Sequence, residues 1–443
     1  MREILALIMN NQLGKARSKI LEQKPVDIAH FLEEVPLEKT LIIFRILPKD
    51  VAAEVFTYMS SEQQKYIVGN ITDKEIRSIL DELFLDDTVD FLEEMPANFV
   101  KKVLRSADEN TRKLLNQFLN YPENSAGSVM TIEYVDLEKE MTVKQALVHI
   151  KKTGVDKETI NICYVIDENR KLEGIVSIRK LILSDDDVKL KEIMETKIIY
   201  AQTLEDQEEV TDKFRKYDLL YLPVVDKENR LVGIITVDDI LDIIEEENTE
   251  DFQRMAGISP TEKEYLKTSP FILAKNRLIW LLLLMISATF TGSIIKRFED
   301  LLQAVVILTT FIPMLMNTGG NAGSQSATMI IRGLALGEIR PRDLFKILGK
   351  ELRVGMIAGI ALAGVNMLRL YFLSKVSLVI AAAVCLSLFF IVVLANMVGG
   401  ALPIIAKRFH VDPAIMASPL ISTMVDAVSL MIYFTIATRL LHV

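Results

Sequence analysis

Ala414-Ile-Met-Ala-Ser-Pro-Leu-Ile-Ser-Thr-Met-Val-Asp426-Ala-Val-Ser-Leu-Met-Ile-Tyr-Phe-Thr-Ile-Ala-Thr438 is a run of 25 residues whose only charged side chain, Asp426, stands at its midpoint. A helix rises about 1.5 Å per residue, so this run matches a hydrocarbon core roughly 30 Å thick and sets the carboxylate near mid-membrane. A charge there costs about 2.5–3.5 kcal/mol on insertion scales. Two readings meet that cost: a cation pathway that uses the charge, or a protonated Asp bonded to a neighbouring helix. The pathway is the expectation carried forward.

Four further stretches, at about 278–295, 302–331, 354–374 and 376–406, are apolar and long enough to span, which makes five with 414–438 and requires a tight connection near Lys375. Arg332, Arg340, Arg342, Lys346, Lys350 and Arg353 fall between the second and third, and Lys407 and Arg408 between the fourth and fifth. Basic connections stay on the cytoplasmic side, so the 272-residue head is expected in the cytosol and the C-terminus outside a multi-pass plasma membrane protein. Met1 to Ile20 lacks a long apolar core and does not read as a signal peptide.

Charge divides the chain the same way. Residues 1–272 carry 53 Asp and Glu against 36 Lys and Arg, whereas 273–443 carry 7 against 15. Such an acidic head disfavours nucleic acid and is compatible with either a solvated surface or the attraction of cations. Cys163 and Cys385 are too far apart in sequence to suggest a disulfide framework or a thiolate metal site.

The head repeats itself twice. Asp27-Ile-Ala-His-Phe-Leu-Glu-Glu-Val-Pro36 recurs as Asp87-Thr-Val-Asp-Phe-Leu-Glu-Glu-Met-Pro96, with a weaker echo at Asp50 to Phe56. Apolar residues at helical spacing through 25–120 predict helix pairs that bury their faces by stacking as a short solenoid. Further on, Val165-Ile-Asp-Glu-Asn-Arg-Lys-Leu-Glu-Gly174-Ile-Val-Ser177 matches Val224-Val-Asp-Lys-Glu-Asn-Arg-Leu-Val-Gly233-Ile-Ile-Thr236, read with one residue's slip in the turn. This pattern of strand, turn, strand and helix resembles the paired cystathionine-β-synthase-type (CBS) module over about 127–245. In that module Gly233-Ile-Ile-Thr-Val-Asp-Asp239 resembles the ribose-binding signature, which implies an adenine-nucleotide site, such as one for ATP, using Thr236 and Asp239; Lys180 replaces the Asp in the first copy.

Asp238 to Asp251 is helical in pattern and holds eight carboxylates, which repel unless cations intervene. It is either a solvated face or a cation-responsive coupling element. Within the second span, Pro313 and Asn317-Thr-Gly-Gly-Asn-Ala-Gly-Ser-Gln-Ser326 are poor in apolar bulk. The glycines serve close helix packing or an unwound turn, whose carbonyls with Asn321 and Gln325 would be hard oxygen donors for Mg²⁺ or its hydration water. No thiolate or His accompanies them, which disfavours softer metals.

In order, these elements resemble the MgtE-type magnesium transporter family over nearly the whole chain: a helical N domain, a CBS pair, an acidic linking helix, Gly319-Gly-Asn-Ala-Gly-Ser-Gln325, and Asp412-Pro-Ala with Pro419, Thr423 and Asp426. The resemblance implies an all-α helical-repeat N domain (1–126), an α/β tandem CBS pair (127–245), an acidic linking or plug helix (246–272) and a five-helix α transmembrane domain (273–443). It also implies a homodimeric divalent cation channel or transporter that imports Mg²⁺ and closes when cytosolic Mg²⁺ binds acidic sites. Asp426 aligns with the family's pore aspartate, near Asn321 and Gln325. Carried over, the sensor comprises Glu54, Asp86 and Asp90 in the N domain, and Asp226, Asp238, Asp239, Asp242, Glu246, Glu250 and Asp251 in the CBS pair and linker. Ala417-Ser418 and Asn317 depart from the family's usual Ser-Gly and Gly.

A membrane-anchored nucleotide or cation sensor signalling to partner proteins is the alternative, but an anchor gains nothing from a mid-bilayer carboxylate. An enzyme is not expected: the spans hold no Ser–His or paired-Asp arrangement, and His410 and His442 lie at their ends.

Overall fold

The computed structural model describes all residues except Met1, Asn11, Glu94, 262–264, Lys267, Lys375, Ala417 and Val443. The tight connection expected at Lys375 and the departure at Ala417 therefore lie outside the described residues. The chain forms two compact units, Met1–Ile244 and Glu245–Val443.

The first unit opens with helices α1 (Arg2–Met9), α2 (Leu13–Ile20), α3 (Pro25–Glu33), α4 (Leu37–Ile46), α5 (Lys49–Thr57), α6 (Ser61–Asn70), α7 (Asp73–Leu80), α8 (Leu85–Glu93), α9 (Ala97–Ser106) and α10 (Glu109–Phe118). Pro36, Pro48 and Pro96 stand at the N-caps of α4, α5 and α9, where a missing N–H costs nothing. Alternate helices stack, α3 on α5, α5 on α7 and α7 on α9, as a solenoid requires. The repeat equivalents Phe31 and Phe91, and Leu32 and Leu92, all turn into one core, where Phe56 meets Phe91 edge-on at 5.0 Å between ring centroids.

Two copies of one supersecondary unit follow. The first comprises β1 (Asp136–Glu138), α11 (Val143–Thr153), β2 (Ile162–Ile166), β3 (Leu172–Ser177) and α12 (Ile178–Ile182), followed by the short α13 (Leu190–Ile193). The second comprises β4 (Ala201–Gln202), α14 (Gln207–Tyr217), β5 (Tyr221–Val225), β6 (Leu231–Thr236) and α15 (Val237–Met255). Each sheet has a parallel pair and then an antiparallel one, in the order β1-β2-β3 and β4-β5-β6.

The expected slip in the turn is absent. Val165 pairs with Gly174 as Val224 pairs with Gly233, and the left-handed turn residues are Arg170 and Asn229. The repeated Asn-Arg letters misled because geometry preserves the Asp at the head of the turn instead. Asp167 Oδ1 accepts from the Asn169 and Lys171 amides, and Asp226 Oδ1 from those of Glu228 and Arg230. Gly233 is required, since a Cβ there would lie 2.8 Å from the Thr131 carbonyl oxygen.

In the linking segment expected as one helix over 246–272, the helix ends at Met255 and a new one begins at Pro270. Gly257 adopts φ +68° and Pro260 cannot extend a helix, so the chain turns.

The second unit continues with α16 (Pro270–Arg297), α17 (Glu299–Ala304), a 3-10 turn (Val306–Phe311), α18 (Ile312–Ala335), α19 (Leu344–Arg369), α20 (Leu378–Arg408), a second 3-10 turn (Pro413–Met416) and α21 (Ser418–Leu441). Among the described residues, four segments are long and apolar enough to cross a membrane: Pro270–Arg297, Pro341–Ser374, Leu378–Arg408 and Pro413–Leu441. α18 falls short because one of its faces is polar. The second and third spans also begin elsewhere than expected: 302–331 is broken before Ile312, with Pro313 in the first turn of α18, and α19 starts at Leu344, within the supposed basic connection.

Candidate cation pathway and carboxylate cluster

The motif helix α18 is unbroken through 317–326, so the unwound turn is not formed. Its glycines serve close approach. A Cβ on Gly319 would lie 2.7 Å from Ile391 Cγ2 of α20 and 3.0 Å from Val425 Cγ1 of α21, and one on Gly399 would lie 2.1 Å from the Gly323 carbonyl oxygen. With that face buried, Asn317, Asn321, Gln325 and Thr328 form an exposed polar stripe at helical spacing, and Asn321 Nδ2 donates to Asn317 Oδ1 at 3.4 Å.

Asp426 lies in the third turn of α21 rather than at the middle of one helix over 414–438, because 413–416 is a 3-10 turn. It is nevertheless level with the middle of a neighbouring helix: its neighbour Val425 shares the Gly319 contact with Ile391, near the middle of the 31-residue α20. Asp426 is half-buried and, among the described residues, has no hydrogen bond or ion pair. The alternative of a packed Asp bonded to a neighbouring helix has no partner here. Asn321 and Gln325 are on the exposed face of α18; neither is bonded to Asp426.

The linking helix ends among these spans. Arg254 pairs with both Glu250 and Asp412, and Met255 packs against the cluster formed by Ala327, Ile331, Ala395, Ile421 and Val425. Gly257 is seated beside Pro419 and Trp280.

In the first unit, α8 brings Asp86 and Asp87 toward Asp238 and Asp239 of α15, together with Glu133 and Glu158 of the first CBS repeat. Burial, then Asp239 and Asp87, holds the Asp86 carboxyl well above the usual carboxylate range. Burial, then Asp239 and Asp238, pushes Asp87 up to about 6. Glu158 rises to about 7 through burial and then Asp238 and Asp239. Asp239 rises to about 6 through burial, although it accepts the Thr236 hydroxyl at 2.6 Å. Tyr58 adjoins the same field: burial and then Glu54, Asp87, Asp238 and Asp242 raise its phenol.

Sequence reasoning found Asp86, Asp238, Asp239, Asp242 and Glu54 of this group but missed Asp87, Glu133 and Glu158. Asp90 is exposed on α8, and Asp226 is spent in its own turn. Glu246, Glu250 and Asp251 lie on the later turns of α15. Among the described residues no three His, Cys, Asp or Glu are closed into a metal-binding group. Thr236 and Asp239 are bonded to each other at the start of α15, in the manner of a capping pair.

The family profile described as "Divalent cation transporter" (MgtE) matches residues 312–436, that of the MgtE intracellular N domain matches 23–124, and the CBS domain matches 126–185 and 190–246. The magnesium transporter MgtE of Thermus thermophilus is 38% identical over the whole of both chains. This chain belongs to the MgtE family. The Bacillus subtilis magnesium transporter MgtE is 34% identical across 99% of this chain and 97% of its own. A crystal structure of the cytosolic domain of the Mg²⁺ channel MgtE in complex with ATP matches 54% of this chain and 99% of that one, at 38% identity and TM-score 0.51. The soluble part of a magnesium transporter matches with TM-score 0.52 at 27% identity, over 56% of this chain and 97% of that one. Membership in a transporter family, with several apolar helices behind a soluble N-terminal region, makes this a multi-pass membrane transporter rather than an enzyme.

Proposed function

We propose that this protein is a homodimeric Mg²⁺ channel or transporter of the cell membrane that imports divalent cations and is closed by cytosolic Mg²⁺. The observation that carries the reading is Asp426: a carboxylate level with the middle of α20, half-buried and without a partner among the described residues. Two copies of one Asp about a two-fold axis suit an ion that takes few carboxylates and retains its water.

α18 is then the fifth span. At about 36 Å it is long enough to cross, and packing between α20 and α21 covers its glycine face while its polar stripe is left for the pathway. Asn321 and Gln325 contribute carboxamide oxygens to the hydration shell of the passing ion. The N-terminal unit is cytosolic and the C-terminus outside, as the basic residues between α18 and α19 and after α20 favour.

Closure follows from electrostatics. Asp86, Asp239 and Asp238, with Glu54, Asp90 and Asp242, repel one another until a divalent ion bridges them, and bridging stabilises the compact head. An adenine nucleotide at the CBS pair, using Thr236 and Asp239, would tune this equilibrium. The relative's ATP-bound cytosolic domain supports that part of the reading.

Purified protein in liposomes, loaded with a divalent-sensitive dye and offered Mg²⁺, Mn²⁺ and Co²⁺ in turn, tests the function. Mg²⁺ uptake that declines as internal Mg²⁺ rises is expected. Absence of flux for every divalent ion would overturn the reading.

A further inference from the structure

Outside the polar stripe, the membrane helices bury a second carboxylate. Glu351, in the third turn of α19, is only 9% exposed, although it lies between the basic residues Lys350 and Arg353. It reaches between helices: a Cβ on Gly400 of α20 would lie 2.8 Å from Glu351 Cγ, so the glycine opens the gap that the side chain fills. At the end of that gap Glu351 Oε2 accepts from the hydroxyl of Ser326 on α18, at 2.8 Å. Ser326 Oγ also lies 3.0 Å from the carbonyl oxygen of Asn396, a buried residue whose amide donates to Val392 O.

The contact ties three helices at one level. α19 is held close to α20 along the same face, because Cβ atoms on Gly355 and Gly359 would lie 2.9 Å from Val393 Cα and from Phe389 Cδ2. Ser326 immediately follows Gln325 of the exposed stripe and points to the opposite, buried side of α18. The glycine contacts of α18, with Ile391, Val425 and Ser429 at Gly319 and with Ser422 at Gly320, set how closely it packs. A hydrogen bond to a buried carboxylate adds a directional constraint on its rotation.

We propose that Glu351 is a positioning residue of the permeation path: by accepting the Ser326 hydroxyl it fixes the rotation of α18 and so the direction in which Asn321 and Gln325 present their carboxamides. This rests on the reading of Asp426 and the α18 stripe as the cation pathway. An acid inside a membrane bundle is expensive to retain, and a purely apolar contact would pack these helices as well. What the carboxylate adds is angular definition at the helix that carries the oxygen donors.

The test uses the full-length protein in liposomes with three variants, Ser326→Ala, Glu351→Leu and Glu351→Gln, reading Mg²⁺ flux, the ratio of Mg²⁺ to Co²⁺ flux, and thermal melting. Loss of the bond should lower Mg²⁺ flux about tenfold in Ser326→Ala and Glu351→Leu, the scale of an unmatched buried polar group, and should change the ratio between the ions. Glu351→Gln, which keeps an acceptor oxygen, should restore most of both. Wild-type flux and ratio in folded Ser326→Ala would overturn the proposal. So would losses that follow the folded fraction with an unchanged ratio, or failure of both non-bonding variants to fold, either of which leaves Glu351 a structural residue. Asp426→Asn in parallel separates the two claims: if it loses flux while these variants keep it, the pathway stands and the positioning role falls.

Discussion

Arg254, in the last turn of α15, forms an ion pair with Asp412, 158 residues later and just before the turn into α21. The other oxygen of Asp412 accepts the Ala414 amide at 2.8 Å, so one carboxylate joins the end of the linking helix to the start of the span that carries Asp426. Glu250 shares the same guanidinium. The Arg254 guanidinium thus fastens a segment whose next residue, Met255, already packs against the cluster that includes Ile421 and Val425.

Arg254→Ala or Asp412→Asn should therefore raise the cytosolic Mg²⁺ concentration needed for closure severalfold, a modest shift because both side chains are partly exposed, 34% and 24%. Patch-clamp recording across Mg²⁺ concentrations checks this, and the double exchange Arg254→Asp with Asp412→Arg should recover part of the shift. Unchanged closure in both single variants would detach the pair from gating.

The carboxylate cluster sets a pH dependence whose sign is fixed. Asp87 and Asp239 at about 6 and Glu158 at about 7 bind protons more tightly in the folded head than in the unfolded chain, where carboxyls titrate near about 4. Their favourable contribution is complete below the unfolded values and lost as pH rises through about 6 to 7. Without divalent ions, hydrogen exchange at α8 and at the start of α15 should slow when pH falls from about 7.5 to 5.5, after correction for intrinsic exchange. Millimolar Mg²⁺ should flatten that dependence. Corrected exchange that quickens on acidification would contradict the cluster's role.

Neutralising Asp86, Asp90, Glu250 and Asp251 together should leave the channel open at Mg²⁺ levels that shut the wild type. Moving a gate from 1:99 to 99:1 takes about 5.5 kcal/mol of differential binding, more than one weakly held hydrated ion supplies. Single substitutions should shift the closing concentration only slightly. Wild-type closure of the quadruple variant in patch recordings would assign the sensing to other residues.

Gly399→Ala should sharply reduce folded protein, since its Cβ would lie 2.1 Å from the Gly323 carbonyl oxygen and neither backbone can yield without parting α18 from α20. The expected cost exceeds the usual overpacking range of about 1–3 kcal/mol. Gly364→Ala, with nothing within 4 Å, is the matched control and should be neutral or slightly stabilising. Equal yields and melting temperatures for the two would mean that α18 and α20 are not packed as described.

Much of the architecture was legible because periodicity reports directly on burial: Phe31 and Phe91 recur in sequence and recur in the core. Asp426 stood out in the sequence because a lone acid in an apolar run is costly to retain. The turn between β5 and β6 was misread because matching letters, Asn169-Arg170 with Asn229-Arg230, are not matching φ angles. Asp87 and Glu158 were missed because folding brings them to Asp238 and Asp239, and Glu133 because folding brings it to Asp87 and Glu158. Glu351 was hidden among basic residues taken for a loop. Its signal was nonetheless present: Glu351, Gly355 and Gly359 recur every four residues, the face of α19 that lies on α20.

Mg²⁺ uptake by liposomes containing Asp426→Asn, compared with wild type at equal amounts of folded protein, bears most directly on the pathway. The substitution keeps shape and removes the charge, so uptake should be severely impaired while fold and oligomeric state persist, and Asp426→Ala should abolish it. Wild-type uptake by the Asn and Ala variants would contradict the assignment and return Asp426 to the role of a packed, neutral acid.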